Sequence, residues 1–380
     1  MPNSKHPLPA CGATRRQVLK GAVASTAAIV VMPYLGRSAK AAPTELTMLA
    51  WYGHAEPDVV QAFESEHNVK FVPKYYTGGD NMLALISQSP PGTFDVILSD
   101  AEYVQQLRTA DYVEELDPRD FAFDDMFPEF QQFPGHWADG KLFSVITRFG
   151  FLGVSYNTVA LSEAEASSYG VFRSEKLHGK VGHFDWYLPN LGQVSLLAGN
   201  KKPYDIDGTA WEKVQETAMG IRPNVGGFFD YGGTFASLKN GQMAAFCGIG
   251  DWITGVLEKS GAPVRTVIPE EGGLQWTESF SIGKGTQKQE LARTWIQYIT
   301  SPAGQVKSAN MAAYPAMIPS KKGWELLAKE TPEEARRQRM ELGKPNAMDD
   351  IRSGRIQFRQ LPVQQSIEEW NDFWTSYKSA

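Results

Sequence analysis

The sequence predicts an α/β protein of two lobes, each a mostly parallel sheet flanked by helices, with a ligand cleft between the lobes. Three observations carry this. Strands and helices alternate along the chain, which is the pattern of parallel sheets. The 380 residues suit about two domains, at roughly 100–200 residues each. A second alternation begins after an apolar strand over 150–156, which takes the chain out of the first lobe.

In the first lobe, Leu46 to Trp51 reads as a strand and Pro57 to Glu66 as a helix with Val59, Val60 and Phe63 inward. Val69 to Tyr75 reads as a strand, Asn81 to Ser87 as a helix, Phe94 to Leu98 as a short buried strand, and Ala101 to Arg108 as a helix starting at its end. In the second lobe, strands are expected at Lys180 to Asp185, Gly226 to Phe229 and Met243 to Gly248. Helices are expected at Val194 to Leu197, Trp211 to Met219 and Thr234 to Asn240. Glu278 to Ile282 reads as a returning strand, followed by an amphipathic helix from Glu290 to Ile299 that ends before Pro302. The expected boundaries are 42–150 for the first part of lobe 1, 151–281 for lobe 2 and 282–320 for the return. A C-terminal helical segment, 321–380, packs across the lobes.

The first 41 residues stand apart. They carry Lys5, Arg15, Arg16, Lys20, Arg37 and Lys40, no acid, and an apolar run from Gly21 to Met32, which together make an export signal. The run is shorter than the ~20 residues a membrane span needs. Thr14-Arg15-Arg16-Gln17-Val18-Leu19-Lys20 resembles the twin-arginine translocation motif, with Val where Phe is usual, and Ala39-Lys40-Ala41 offers small residues for cleavage before Ala42. Export by that translocon to the periplasm, as a soluble monomer, is the expectation. Losing six basic and no acidic residues takes the formal net charge from −6 to −12, which suits cationic partners and argues against nucleic acid. Cys11 leaves with the signal, and Cys247, within Met243-Ala244-Ala245-Phe246-Cys247, reads as a small buried hydrophobe.

Six further stretches, in order, carry a resemblance. They are Leu49-Ala50-Trp51-Tyr52, Phe94 to Asp100, Leu152 to Asn157, Arg222-Pro223-Asn224-Val225, Ile268 to Gly273, and Ser301-Pro302-Ala303 with Ala313-Tyr314-Pro315. Their succession resembles the periplasmic solute-binding proteins of ABC importers, in the branch of the spermidine- and putrescine-binding proteins. The resemblance implies a type II periplasmic binding fold, a small solute in the cleft, and docking on an ABC permease in the inner membrane. A binding protein and no enzyme is expected from it, the lesser alternative being an exported enzyme, a class of passenger that the twin-arginine route also carries. The resemblance also places Trp51, Asp100, Asp251, Glu278 and Tyr314 at cleft positions, with Tyr52, Glu102, Asp185, Trp186 and Trp276 beside them.

The chemistry of these residues is compatible with a polyamine. Carboxylates suit ammonium groups and aromatic faces suit the methylene stems, through charge-assisted hydrogen bonds and cation–π contact. Each residue also has a plainer reading. Asp251 and Asp100 are placed to cap helices, Glu278 could make a surface ion pair, and Trp51 could be core. Three departures from the polyamine pattern stand out: Gly248 where a Trp is common, Phe184-Asp185-Trp186-Tyr187 where an acid is usual, and Glu102 where Tyr is frequent. Arg148, in Thr147-Arg148-Phe149, could clamp a ligand carboxylate or pair with a cleft acid. A clamp would make the solute zwitterionic, such as an opine or amino-acid derivative.

Other chemistries find no pattern. The His residues show no metal-ligand spacing, and His54 reads as an exposed loop residue. Tyr75-Tyr76 sits too early in the chain to match the tyrosine pair of ferric-ion binders. No nucleophile elbow or phosphate loop occurs, so neither cofactor, metal nor catalytic residue is expected.

Overall fold

The structure, a computed structural model, describes residues 42–380, of which 43–380 form one compact unit. The twin-arginine motif, the apolar run and Ala39-Lys40-Ala41 lie outside the described residues. The strands are β1 (Thr44–Ala50), β2 (Val69–Tyr75), β3 (Val96–Asp100), β4 (Trp137–Ala138), β5 (Lys141–Leu142), β6 (Val145–Leu152) and β7 (Val154–Asn157). They continue with β8 (Val181–Phe184), β9 (Val225–Phe229), β10 (Ala245–Cys247), β11 (Val264–Val267), β12 (Gly273–Ile282) and β13 (Ile356–Phe358). One sheet has the order β13-β12-β3-β1-β2, with β6 also on β12, and the other β11-β7-β10-β8-β9, while β4 and β5 form a hairpin.

Among the described residues, three of the five strand pairs in the first sheet are parallel and two of the four in the second. The pairs β1–β2, β1–β3, β8–β9 and β8–β10 are parallel, as strands joined through covering helices must be. β12 runs antiparallel to β3 and β6, and β7 antiparallel to β10 and β11. These last are the strands where the chain passes between the sheets. Arriving without a helical crossover, they are free of the constraint that imposes parallel pairing.

The two passages lie side by side. β6 becomes β7 at Gly153, where a Cβ would sit 2.0 Å from the Val267 carbonyl oxygen, so only glycine fits. The return follows β11, and all of β12 from Gly273 pairs in the first sheet; the second lobe therefore ends earlier than the expected Ser281. Gln193 ties this region together, donating to the Gly153 carbonyl at 2.8 Å and accepting from the Gly248 N–H at 2.6 Å.

Most elements follow their local patterns. The helix Pro57–His67 buries Val59, Val60 and Phe63, has Pro at its start, and stops at Asn68, which is left-handed with φ of 51°. The helix expected at Val194 is in fact Tyr187–Leu197; nearly every residue is buried, so it has no polar stripe to mark its start. The C-terminal segment is not purely helical. β13 extends the first sheet, and the helix Ile367–Ser379, opened by a capping box of Ser366 and Glu369, lies on the second. There Trp370 stacks on Trp211 at 5.0 Å, and the Tyr377 hydroxyl lies 3.1 Å from His183 Nε2.

Candidate functional site

The carboxyl ends of β1, β2 and β3 face those of β8, β9 and β10 across a cavity of about 170 Å3, the place where open α/β sheets bind ligands. Ten of its sixteen lining residues are aromatic. Trp51 follows β1, Tyr75 and Tyr76 close β2, Phe184 and Trp186 end β8, and Tyr231 follows β9. Trp51 and Trp186 come from opposite sheets, with ring centroids 5.9 Å apart, and Trp252 meets Tyr314 at 5.8 Å.

Two carboxylates line this cavity, and each is already held. Asp100, at the end of β3, accepts from Trp51 Nε1 at 2.9 Å and from Arg359 Nη2. Arg359 also bonds Glu102 and lies 4.5 Å from the Trp186 ring centroid. Burial raises both acids above their ordinary values against the pull of Arg359, with Glu102 reaching about 7. Glu278 lies opposite Arg148 on β6 and Asp100 on β3. It accepts from the Tyr314 hydroxyl at 2.8 Å, lies 3.1 Å from His54 Nε2, and pairs with Arg148 Nε at 3.3 Å. Burial pushes the Glu278 carboxyl up, but His54, Arg148 and Tyr314 outweigh it and hold it below the ordinary range. Burial lowers His54 against the opposing pull of the Glu278 carboxylate.

Of the residues singled out from the sequence, Trp51, Tyr52, Asp100, Trp186, Trp276, Glu278 and Tyr314 line the cavity. Four do not. Asp185 accepts from Trp374 Nε1 at 3.0 Å and from Lys378 Nζ at 2.9 Å on the C-terminal helix. Its neighbours Phe184 and Trp186 face the cavity, and extended chain turns alternate residues to opposite sides. Asp251 opens the helix Asp251–Lys259, which Gly250 caps, so Asp251 is not the cap either. Trp252 takes the inward position, and Asp251 stays buried with Oδ1 lacking a hydrogen-bond partner among the described residues. Burial, opposed by Arg337, raises Asp251 to about 6. Glu102 stands behind Arg359. Arg148 is fully buried behind Glu278, its Nη2 donating to the Tyr314 carbonyl at 2.7 Å, so it is a structural ion pair rather than an exposed clamp. His54, read as an exposed loop residue, is buried, and so is Glu278, which makes its ion pair inside the protein and not at the surface.

The sequence reading missed Arg359, which leaves no local signal on the loop after β13, and passed over Trp252 and Tyr231, which start helices at strand ends. Tyr75 and Tyr76, which do not match the ferric-ion pair, wall the cavity. Gly248 lines the cavity with φ of +84°, and a Cβ there would meet Asn190 at 2.5 Å, so a Trp at this position cannot be accommodated.

The model for the bacterial extracellular solute-binding proteins matches residues 58–332. The spermidine/putrescine-binding periplasmic protein of Salmonella typhimurium is 22% identical over 272 residues, covering 70% of this chain and 75% of its own. The putrescine/agmatine-binding protein of Pseudomonas aeruginosa is 22% identical over 314 residues, covering 73% and 79%. Among solved structures, the spermidine/putrescine ABC transporter substrate-binding protein of Streptococcus pneumoniae superposes with a TM-score of 0.70 at 17% identity, covering 88% of this chain and 99% of that one. An A. tumefaciens binding protein in complex with glucopine gives 0.66 at 16%, covering 88% and 99%. A family match over most of the length carries the assignment: this chain belongs to the bacterial extracellular solute-binding proteins, with the type II periplasmic binding fold, and is a receptor rather than an enzyme.

Proposed function

We propose that this protein captures a small cationic amine, a polyamine such as putrescine or spermidine in the first instance, and delivers it to an ABC permease in the inner membrane. The supporting observation is the cavity itself, in which aromatic walls surround Asp100 and Glu278. Aromatic faces and carboxylates together attract ammonium ions and methylene chains. A zwitterionic solute is less well served, because both guanidiniums near the cavity, Arg148 and Arg359, are bound to protein carboxylates. Names of the relatives favour the same solute class.

The protein acts in the periplasm as a monomer, exported through the twin-arginine translocon and cleaved before Ala42. Support comes from Arg15-Arg16, the apolar run and Ala39-Lys40-Ala41. Replacing Arg15 and Arg16 by Lys should block export, and mass spectrometry of exported protein should show loss of the first 41 residues. The solute reading is tested by a thermal-shift screen over polyamines, quaternary amines, opines and amino acids. A ligand at 100 times its Kd adds about 2.7 kcal/mol of stability. A screen in which only opines or amino acids stabilise the protein would reject the cationic reading.

A further inference from the structure

We propose that charged side chains outside the cavity, Lys259 on one lobe with Glu334 and Arg337 on the other, form a latch that positions the cavity wall at Trp252 and holds the lobes together whether or not a solute is bound.

The two sides of the latch belong to different parts of the fold. The helix Asp251–Lys259 is built into the second lobe, where its Ile253 and Leu257 pack with Leu238, Met243, Phe246 and Val264 in one core cluster. The helix Pro332–Arg337 is anchored on the first. Gln338, just past its end, donates to the Ala309 carbonyl at 3.1 Å. Ala309 in turn ends the helix Pro302–Ala309, whose Gln305 donates to the Thr147 carbonyl on β6 at 2.8 Å.

Glu334 is the hub of the junction. It accepts from Arg337 Nη2 at 2.5 Å and from Gln338 Nε2 at 2.6 Å, both on its own side, and pairs with Lys259 Nζ of the opposite lobe at 2.6 Å. A fully exposed Lys–Glu pair contributes little. Here the carboxylate side chain is only 6% exposed, so water and salt screen the attraction less.

The Arg337 guanidinium then lies against the facing helix at Gly255. A Cβ on Gly255 would fall 2.3 Å from Arg337 Nη1, and its nearest neighbours would all be atoms of that guanidinium. Glycine is less favourable than alanine inside a helix, so local helix stability is given up at the point where the lobes approach most closely. Trp252, which walls the cavity, stands one turn earlier on the same helix. The contacts at Gly255 and Lys259 therefore fix where Trp252 stands relative to the first lobe.

Spin labels at Val72→Cys on β2 and Val159→Cys after β7, both exposed, report the distance between the lobes in protein lacking the first 41 residues, whose remaining cysteine, Cys247, is buried. With no solute added, this labelled parent should give mainly one distance. Lys259→Glu sets like charges face to face and should raise the share of longer distances roughly threefold or more. Lys259→Arg keeps the charge and should keep the parent's distribution. Gly255→Ala should also lengthen the distance, while its unfolding midpoint stays level or rises, because alanine favours the helix. A contact that served only to stabilise the fold would move the midpoint and leave the distances alone. The proposal is overturned if Lys259→Glu or Gly255→Ala keeps the parent's distances, or if Lys259→Arg opens the lobes as far as Lys259→Glu; should one variant not fold, the other decides. None of these readouts uses a ligand, so the latch fails or stands independently of the cationic-solute reading.

Discussion

The Tyr231 hydroxyl donates a 2.7 Å hydrogen bond to the Ala313 carbonyl, joining the helix Tyr231–Lys239 of the second lobe to the segment that carries Tyr314 beside the first sheet. Tyr52 also meets Tyr231 across the cavity, at 6.0 Å. Because the two sheets are linked covalently only at Gly153, at 268–272 and through the C-terminal segment, contacts of this kind hold the cavity shut. Tyr231→Phe removes the hydrogen bond and keeps the ring. A lost hydrogen bond of this type costs about 1 kcal/mol, so ligand affinity should fall roughly fivefold with the unfolding midpoint little changed. Calorimetry with the best ligand, alongside solution scattering for compaction on binding, checks this; unchanged affinity and unchanged compaction would show that the contact does not hold the closed form.

Glu278 and Arg148 form a buried pair, and removing one partner strands the other. Glu278→Gln should destabilise the fold by about 3–5 kcal/mol. Adding Arg148→Met should restore most of that loss. Denaturant titrations of both single variants and the double variant measure the coupling, and additive effects would mean that the pair is not a unit.

Asp251 makes stability depend on pH. Its folded value of about 6 lies about two units above the ordinary 3.8, and each unit is worth about 1.4 kcal/mol. The folded state therefore binds the proton more tightly than the unfolded chain, and stability falls as pH rises from about 4 to about 6. In Asp251→Asn this loss should be absent, so the variant should gain about 3 kcal/mol on wild type between pH 4 and pH 7. Its ligand affinity should stay within about threefold of wild type, since Asp251 lies outside the cavity lining. Parallel stability curves for the two proteins across that range would contradict the buried-charge account.

Cys247 is buried and its thiol is pushed up far above the ordinary range by desolvation. In protein lacking the first 41 residues it is the only thiol. It should resist a thiol-specific reagent at pH 8 and react fully once the chain is unfolded. Rapid labelling of the native protein would place it at an accessible surface instead.

Trp51 both walls the cavity and orients Asp100. Trp51→Phe keeps a ring but loses the indole donor, whereas Trp51→Leu loses both. Cation–π contact at a desolvated site is worth about 2 kcal/mol, so Leu should weaken a cationic ligand roughly 30-fold and Phe by less. Equal losses in the two variants would assign the effect to the hydrogen bond alone.

The alternation of strands and helices, and with it the α/β class, was legible because side-chain period follows from local backbone geometry. The same geometry set Trp276 and Glu278 two residues apart on one face of β12, and put Trp51 and Asp100 at strand ends. Local period also explains two misplaced residues: Asp185 and Asp251 each adjoin an inward aromatic, and only the lobe around them decided which neighbour faced in. Arg359 and Asp100 are 259 residues apart, and Arg148 meets Glu278 through an antiparallel register between β6 and β12. Such pairs are chosen by which sheet a strand joins and which charges burial forces together. The sequence by itself thus determined the elements and the aromatic character of the cleft. Tertiary structure alone decided that its carboxylates are already matched by guanidiniums, because a charge taken out of water must find its partner in the folded chain wherever that partner lies in the sequence.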